Sequence, residues 1–415
     1  MTPDTDRISR VTTLMQRKGF DALVCQLPHN VLMLSGYLPV LCQSVVVLLP
    51  DGDGAVIAPE SELQFAQDGW FTDIRTFSPV TLDYVLFPSE VAAPLLAEVL
   101  CEKGVAGGII GIEQKPTIIP APYLEVHVPN MVAVNKWADV IPSMIMRDAT
   151  DMLEEAAMVK TEREIERITI ACTIAEFGFT AAREAIRPGV REVEVAAEAK
   201  SAIERQGTGF ANVRRVGAWA FCMSGPRSAE AYLPYQYSTN RRLEPGDSAV
   251  VHINCHADGF WTDLTRTFFA GEPSYDRRDV YEAVSLAWEH AIGAVGIGRP
   301  TRDIDAAARD VLARQGYAEA FLHGTGHGVG FRALYHGERP VIHPQSDDVQ
   351  ERDMVFNVEP AAYFADQWGM RICDLVAIRT DGAKVLSSMR RDLDWAICPR
   401  QTREEESRYE SDRAA

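Results

Sequence analysis

HINCHADGFWTDLTRTF, His252 to Phe268, gathers two histidines, a cysteine and two aspartates around an Asp-Gly dipeptide. Asp258-Gly259 is a turn signal between two β-rich runs, so the stretch predicts a hairpin. Two registers are open. A four-residue loop, His256 to Gly259, sets Asp263 opposite His252, and a two-residue loop, Asp258-Gly259, sets it opposite Asn254. His252 and Asn254 share a face by the period of two, so a polar group lies across from Asp263 in either case. Taken alone, the pattern also describes the solvent-facing edge of an antiparallel sheet.

Later segments tilt the reading toward a site. HGTGHGVG, His323 to Gly330, interleaves two histidines with four glycines, a composition suited to backbone held close to a ligand. Glu359 sits in the apolar run VFNVEPAAYF, where a buried carboxylate needs a partner, a proton or a cation. GMRICDLVAI follows, and a hairpin centred near Asp366 sets Cys373 across from Glu359, with Arg371 on the same face as Cys373 and able to ion-pair with a carboxylate. His252, Asp263, His327, Glu359 and Cys373 are hard-to-borderline metal ligands on separate segments, the way catalytic sites are assembled. Spacing alone does not bring them together.

At 415 residues the chain exceeds what one core fills, so two domains are expected. Residues 1–150 alternate helical periods with short apolar runs (RISRVTTLMQRKGF, DALVCQL, SVVVLLP, GAVIAP, GGIIGIE) and read as an α/β domain. No GxGxxG follows the first strand, which disfavours a nucleotide fold. Residues 151–400 open with long helices, broken at Pro188-Gly189, then turn to strands and hairpins around a helical block, an α+β pattern. Residues 401–415 read as a flexible tail. The formal charge of -18, from 41 basic and 59 acidic residues, argues against nucleic acid and anionic membrane partners. The eight cysteines form no CxxC pair, and no run has the length of a membrane span or the apolar core of a signal peptide, so a cytoplasmic location is expected.

The motifs DGFWTDLTRTF, HGTGHGVG, FNVEP and GMRICD, in that order, together with RISRVTTLMQRKGFDALVCQLPHNVLMLSGY and MVKTEREIERITIACTIAE, resemble the creatinase, prolidase and aminopeptidase P family of the pita-bread fold. The resemblance runs from about Arg7 to Arg379. It implies an α/β N-terminal domain, an α+β pita-bread catalytic domain, a homodimer, and commonly a two-metal centre with ligands Asp, Asp, His, Glu, Glu. Asp263, His327 and Glu359 match the second, third and fourth. His252 stands where the first Asp is expected and Cys373 where the bridging Glu is expected. In SGPRSAEAYLP, Tyr232 occupies the position of a usual histidine; Leu334 replaces a second catalytic histidine, for which His336 is a substitute.

A bridging carboxylate offers two oxygens to two cations, which one imidazole nitrogen cannot do, so the expectation is one divalent ion, zinc, rather than two. Complete metal loss is the competing reading, with Cys373 a buried apolar side chain. The resemblance implies a hydrolase cleaving an amide or related C–N bond in a small-molecule or dipeptide-sized substrate. Glu359 would act as ligand or general base, and His323 or Tyr232 would bind developing charge. Three alternatives stand beside it: an Xaa-Pro dipeptidase or aminopeptidase proper, a metal-free creatinase-like hydrolase or lyase acting on a small zwitterion, and a non-catalytic binding protein.

Overall fold

The computed structural model describes residues 2–41, 43–115, 130–233, 237–332 and 336–398. The tail 401–415, Pro234, Tyr235, Leu334 and Tyr335 lie outside the described residues. The chain divides into two compact units, Met1–Arg163 and Glu164–Ala415, the break falling beyond the position near 150 expected from the sequence. Helix Thr150–Met158 belongs to the first unit because Arg7, itself fully buried, donates to the carbonyls of Ala156 and Val159.

The first unit starts with helix Thr5–Lys18. Asp4 caps it by accepting from the Arg7 amide at 3.1 Å, and Gly19 ends it in the left-handed region at φ 68°. Val11, Leu14 and Met15 form its buried stripe. The unit's sheet contains β1 (Ala22–Cys25), β2 (Val45–Leu48), β3 (Gly54–Pro59), β4 (Ile74–Phe77), β5 (Ile109–Ile112) and β6 (Ile145–Asp148), in the order β4-β3-β2-β1-β5-β6. β1 pairs antiparallel with β2 and parallel with β5, which makes the sheet mixed. Its central strands are apolar on both faces because helices cover them, and so they read as continuous hydrophobic runs.

Glu113, one residue past β5, caps the start of helix Pro28–Ser35. Its oxygens accept from the amides of Gln26 (2.9 Å) and Leu27 (3.0 Å) and from Asn30 Nδ2 (2.9 Å). Pro28 removes one donor from that first turn, and the buried carboxylate takes up the neighbouring ones.

In the second unit the helices Glu162–Ala185 and Glu192–Gly207 are separated by the Pro188-Gly189 break, Gly189 having φ 90°. Ile168, Ile174, Phe179 and Ile203 from these helices pack with Ile253, Leu264 and Phe268 of a sheet. That sheet comprises β7 (Val216–Ser224), β8 (Ser248–Ala257), β9 (Phe260–Trp261) and β10 (Leu264–Ala270), ordered β10-β8-β7 with β9 also on β8. Helices Tyr275–Gly293 and Arg302–Arg314 form the block that separates these strands from the next set. That set is β11 (Val355–Val358), β12 (Ala361–Phe364), β13 (Trp368–Arg371), β14 (Asp374–Arg379) and β15 (Gly382–Val385), while β16 (Ile397–Cys398) returns to lie parallel to β10.

The register of the β8–β10 hairpin is the two-residue one. Ala257 pairs with Phe260, His256 with Trp261 and His252 with Thr265. Asp258 (φ 48°) and Gly259 (φ 85°) both adopt positive φ, as a primed two-residue turn requires. β12 and β13 pair Ala361 with Arg371 around Asp366, and β11 and β14 continue the same register with Val358 opposite Asp374. The ladder is interrupted between these pairs, and Glu359 and Cys373 face each other across the gap.

Replacing Glu113 by Gln puts an amide NH2 against backbone donors. The expected result is a loss of about 1–3 kcal/mol, read from the urea midpoint, with the second unit's fold unchanged.

Candidate metal centre

Backbone pairing brings the separated segments together. Thr265 and Cys373 exchange both hydrogen bonds, 3.3 and 3.0 Å, joining the first hairpin to the second. The glycine-rich segment is stitched to β11, with the Asn357 amide donating to the His327 carbonyl at 3.0 Å and the Glu359 amide to the Thr325 carbonyl at 2.8 Å. The glycines have a steric reason. A Cβ on Gly326 would lie 1.9 Å from the Asn357 carbonyl oxygen, and one on Gly328 would lie 2.1 Å from that of Arg339.

Asp263 is the hub. With His327 and His336 it forms one group whose potential ligand atoms lie within 4.8 Å of one another, and with Glu359 and Cys373 it forms a second. The His327 Nδ1–H donates to the Gly328 carbonyl at 2.9 Å, which leaves Nε2 facing Asp263 Oδ2 at 3.5 Å. Asn357 holds the same histidine from the other side: its Oδ1 accepts from the His327 amide at 2.7 Å, and its Nδ2 lies 3.3 Å from Nε2. The Cys373 thiol donates to the Asp263 carbonyl at 3.2 Å.

His252 reaches the same pocket but spends both ring nitrogens on protein. Arg371 Nη2 donates to Nδ1 at 2.7 Å. A guanidinium can only donate, so Nδ1 is the acceptor and Nε2 carries the proton, directed at Asn254 Oδ1 at 2.7 Å. Its Nε2 is 3.8 Å from Asp263 Oδ1, and His252 belongs to neither ligand group among the described residues. Arg371 is held further by Thr265 Oγ1 (3.1 Å) and the Ala231 carbonyl (3.3 Å), and its Nη1 lies 3.7 Å from Glu359. The ion pair read from the sequence is thus present, with His252 fastened to the same guanidinium.

His323 is also locked. Its Nδ1–H donates to the Gly324 carbonyl at 2.7 Å, so Nε2 accepts from the Tyr363 hydroxyl at 3.1 Å and no N–H remains for a substrate oxygen. Tyr232, 41% exposed, packs against Tyr363 with centroids 5.5 Å apart and the ring planes tilted by 52°. His336 stands with its ring 5.0 Å from that of His327. Thr265, Asn357 and Tyr363 support the centre without having been singled out from the sequence. Their signal is the period of two, since Thr265 and Asn357 each lie two residues from a carboxylate and Tyr363 four from Glu359.

Burial shapes the charges. It pushes Glu359 up to about 7, Arg371 working against the shift and Asp263 adding to it. Asp263 is raised by burial, but the charge of His252 and the hydrogen bond and charge of His327 outweigh this and hold it well below the usual carboxylate range. Burial opposes charge on His327, yet the hydrogen bond and charge of Asp263, with Glu359, lift it to about 9. Burial lowers His252 to about 4 and His323 to about 3. The Cys373 thiol is raised well above its ordinary value by burial and by the neighbouring carboxylates.

The group of Asp263 with His327 and His336 and the group of Asp263 with Glu359 and Cys373 each carry donors that suit a divalent cation. Its charge would relieve the condition that raises Glu359, and would favour the thiolate at Cys373. Residues 166–380, just over half of the chain, match metallopeptidase family M24, and the chain belongs to it. With that match, the α/β N-terminal unit and the α+β unit are the creatinase, prolidase and aminopeptidase P architecture with its pita-bread catalytic domain, and the protein is a hydrolase. Members of this family use divalent metals.

The chain is similar to the Xaa-Pro dipeptidase of Pyrococcus furiosus, 28% identical over 389 residues that cover 94% of this chain and 99% of that one. It is similar to the probable dipeptidase PepE of Mycobacterium tuberculosis, 37% identical over 246 residues covering 59% and 62%. Among solved structures it resembles the dipeptidase PepE of Mycobacterium ulcerans (TM-score 0.72, 27% identity, 96% and 100% covered). It also resembles a prolidase of Thermococcus sibiricus (TM-score 0.76, 25% identity, 96% and 99% covered).

The metal-free protein has a two-sided pH dependence. His327, raised above the ~6.5 of an unfolded imidazole, contributes stability that is full below that value and lost as pH climbs through about 9. The depressed His252 and His323 contribute stability that is present above ~6.5 and lost as pH falls toward about 4 and about 3. Urea midpoints of metal-free protein should therefore fall on both sides of neutrality, and His327→Gln should flatten the alkaline limb.

Proposed function

We propose that this M24 hydrolase cleaves an amide or related C–N bond in a small, dipeptide-sized substrate at a centre that holds one ion, zinc. The observation that carries the reading is that Asp263 shares one ligand-capable group with His327 and His336 and a second with Glu359 and Cys373, while His252 is committed to Arg371 and Asn254. Carboxylate oxygen, imidazole nitrogen and sulfur make a donor set of zinc character. A cation held there supplies Lewis acidity to the substrate oxygen and lowers the pKa of water.

The chain's own groups do the rest. Glu359 takes the proton of the attacking water and returns it to the leaving nitrogen. Arg371 keeps a fixed positive charge beside Glu359, held in place by His252 and Thr265. Tyr232 follows Ala231, whose carbonyl accepts from Arg371, and its phenol is the donor to the developing oxyanion. His323 orients Tyr363 instead of binding charge. His336, beside His327, serves as the additional histidine on the substrate side. The working form in this reading is a cytoplasmic homodimer.

The names carried by the similar proteins support a narrower second reading, in which the substrate is an Xaa-Pro dipeptide. Protein purified without added metal should contain close to one equivalent of zinc; less than about a tenth of an equivalent, unchanged after zinc addition, defeats the one-ion centre. Glu359→Gln should lower turnover of any cleaved dipeptide by about 10²–10⁴-fold. A panel of Xaa-Pro and other dipeptides decides between the readings, cleavage confined to the proline members favouring the narrower one.

A further inference from the structure

The glycine-rich segment that is stitched to β11 on one side holds a further strip of chain on the other. The Gly328 amide donates to the Glu338 carbonyl at 2.8 Å, and Gly326 and Ile342 exchange both hydrogen bonds, 3.2 and 2.8 Å. Arg332 Nε donates to Glu338 Oε2 at 2.9 Å and ties the ends of the intervening segment together. His336, two residues before Glu338, is thereby set with its ring 5.0 Å from that of His327 and the two planes 30° apart. One ligand atom from each ring and one Asp263 oxygen lie within 4.8 Å of one another.

The use that each donor atom already has on the protein separates the two groups sharing Asp263. Asp263 Oδ2 faces His327 Nε2 at 3.5 Å, and bonds of ~2.0–2.2 Å at tetrahedral angles place two ligand atoms about 3.4 Å apart. The His336 ring makes no hydrogen bond among the described residues, unlike the rings of His252 and His323, and His336 is the exposed member of its group, open to an entering cation. The second group is obstructed. Asp263 Oδ1 faces His252 Nε2 at 3.8 Å and the Cys373 sulfur at 4.0 Å, and the Cys373 S–H is spent on the Asp263 carbonyl. Glu359 lies 3.7 Å from Arg371 Nη1, a buried guanidinium that Thr265 and the Ala231 carbonyl hold in place and that repels a further positive charge.

The geometry points to His336 as a metal ligand: the ion is held by Asp263, His327 and His336, while Glu359 and Cys373 stay off it. This inference rests on the one-ion reading above and states which of the two groups holds that ion. Three protein ligands leave a fourth position open, as in catalytic zinc sites, and Glu359 keeps its oxygens for proton transfer.

Zinc titration of the metal-stripped full chain against a chromogenic chelator reads affinity and stoichiometry, and the absorption spectrum of the chain loaded with one equivalent of cobalt(II) reads the donor atoms. One equivalent of zinc is expected, bound at least about a hundredfold more weakly by His336→Ala and less than about tenfold more weakly by Glu359→Gln or Cys373→Ser. The cobalt-loaded chain should show no sulfur-to-metal charge-transfer band, a measurement that needs no variant, and its visible bands should shift in His336→Ala but not in Cys373→Ser. A sulfur-to-cobalt band in the unaltered chain, or a zinc affinity that His336→Ala leaves unchanged, overturns the assignment of His336 and leaves the one-ion reading standing. A loss in Glu359→Gln or Cys373→Ser as large as in His336→Ala overturns it in the same way. Failure of the unaltered chain to take up zinc defeats the one-ion reading together with this inference.

Discussion

Asp263 and Glu359 are both taken out of water in one pocket, and the charge balance they impose organises everything around them. Two desolvated carboxylates side by side repel each other, and burial alone would cost several kcal/mol per ion. The chain meets this from within through His327, which pairs with Asp263, and Arg371, which lies beside Glu359. Burial still keeps the Glu359 carboxyl raised, with Arg371 working against the shift. Histidine at 252 follows from the same balance, because as a neutral acceptor it can receive the Arg371 hydrogen bond without adding a third buried negative charge.

Much of the fold was legible in the residues. The apolar runs of the first unit became adjacent strands of one sheet, and Asp4 and Gly19 closed the first helix as capping chemistry dictates. The hairpin around Asp366 formed in the expected register. The Asp258-Gly259 hairpin left two registers open because loop length, not side-chain pattern, decides between them; positive φ at both turn residues selects the shorter loop. The placement of helix Thr150–Met158 with the first unit was not legible, since it depends on a buried arginine more than a hundred residues earlier in the chain.

At the centre, the sequence marked which residues carry donor atoms but not how those atoms are spent. His252 and His323 were candidates on the strength of residue type and position. Each ring nitrogen is assigned by a partner remote in sequence, Arg371 for one and Tyr363 for the other. Cys373 and Glu359 were placed opposite each other by hairpin register; that their ladder breaks there, freeing both side chains to share a hub with Asp263, required the tertiary pairing of Thr265 with Cys373.

That pairing has an evolutionary corollary. The positions of residues 252, 263, 327, 359 and 373 are set by main-chain bonds and by the tight approach at Gly326 and Gly328, so side chains at those positions can be exchanged while the chassis keeps its geometry. Under the one-ion reading proposed above, single substitutions at residues 263, 327, 359 and 373 would change the donor atoms while the backbone pairings that carry them stay in place.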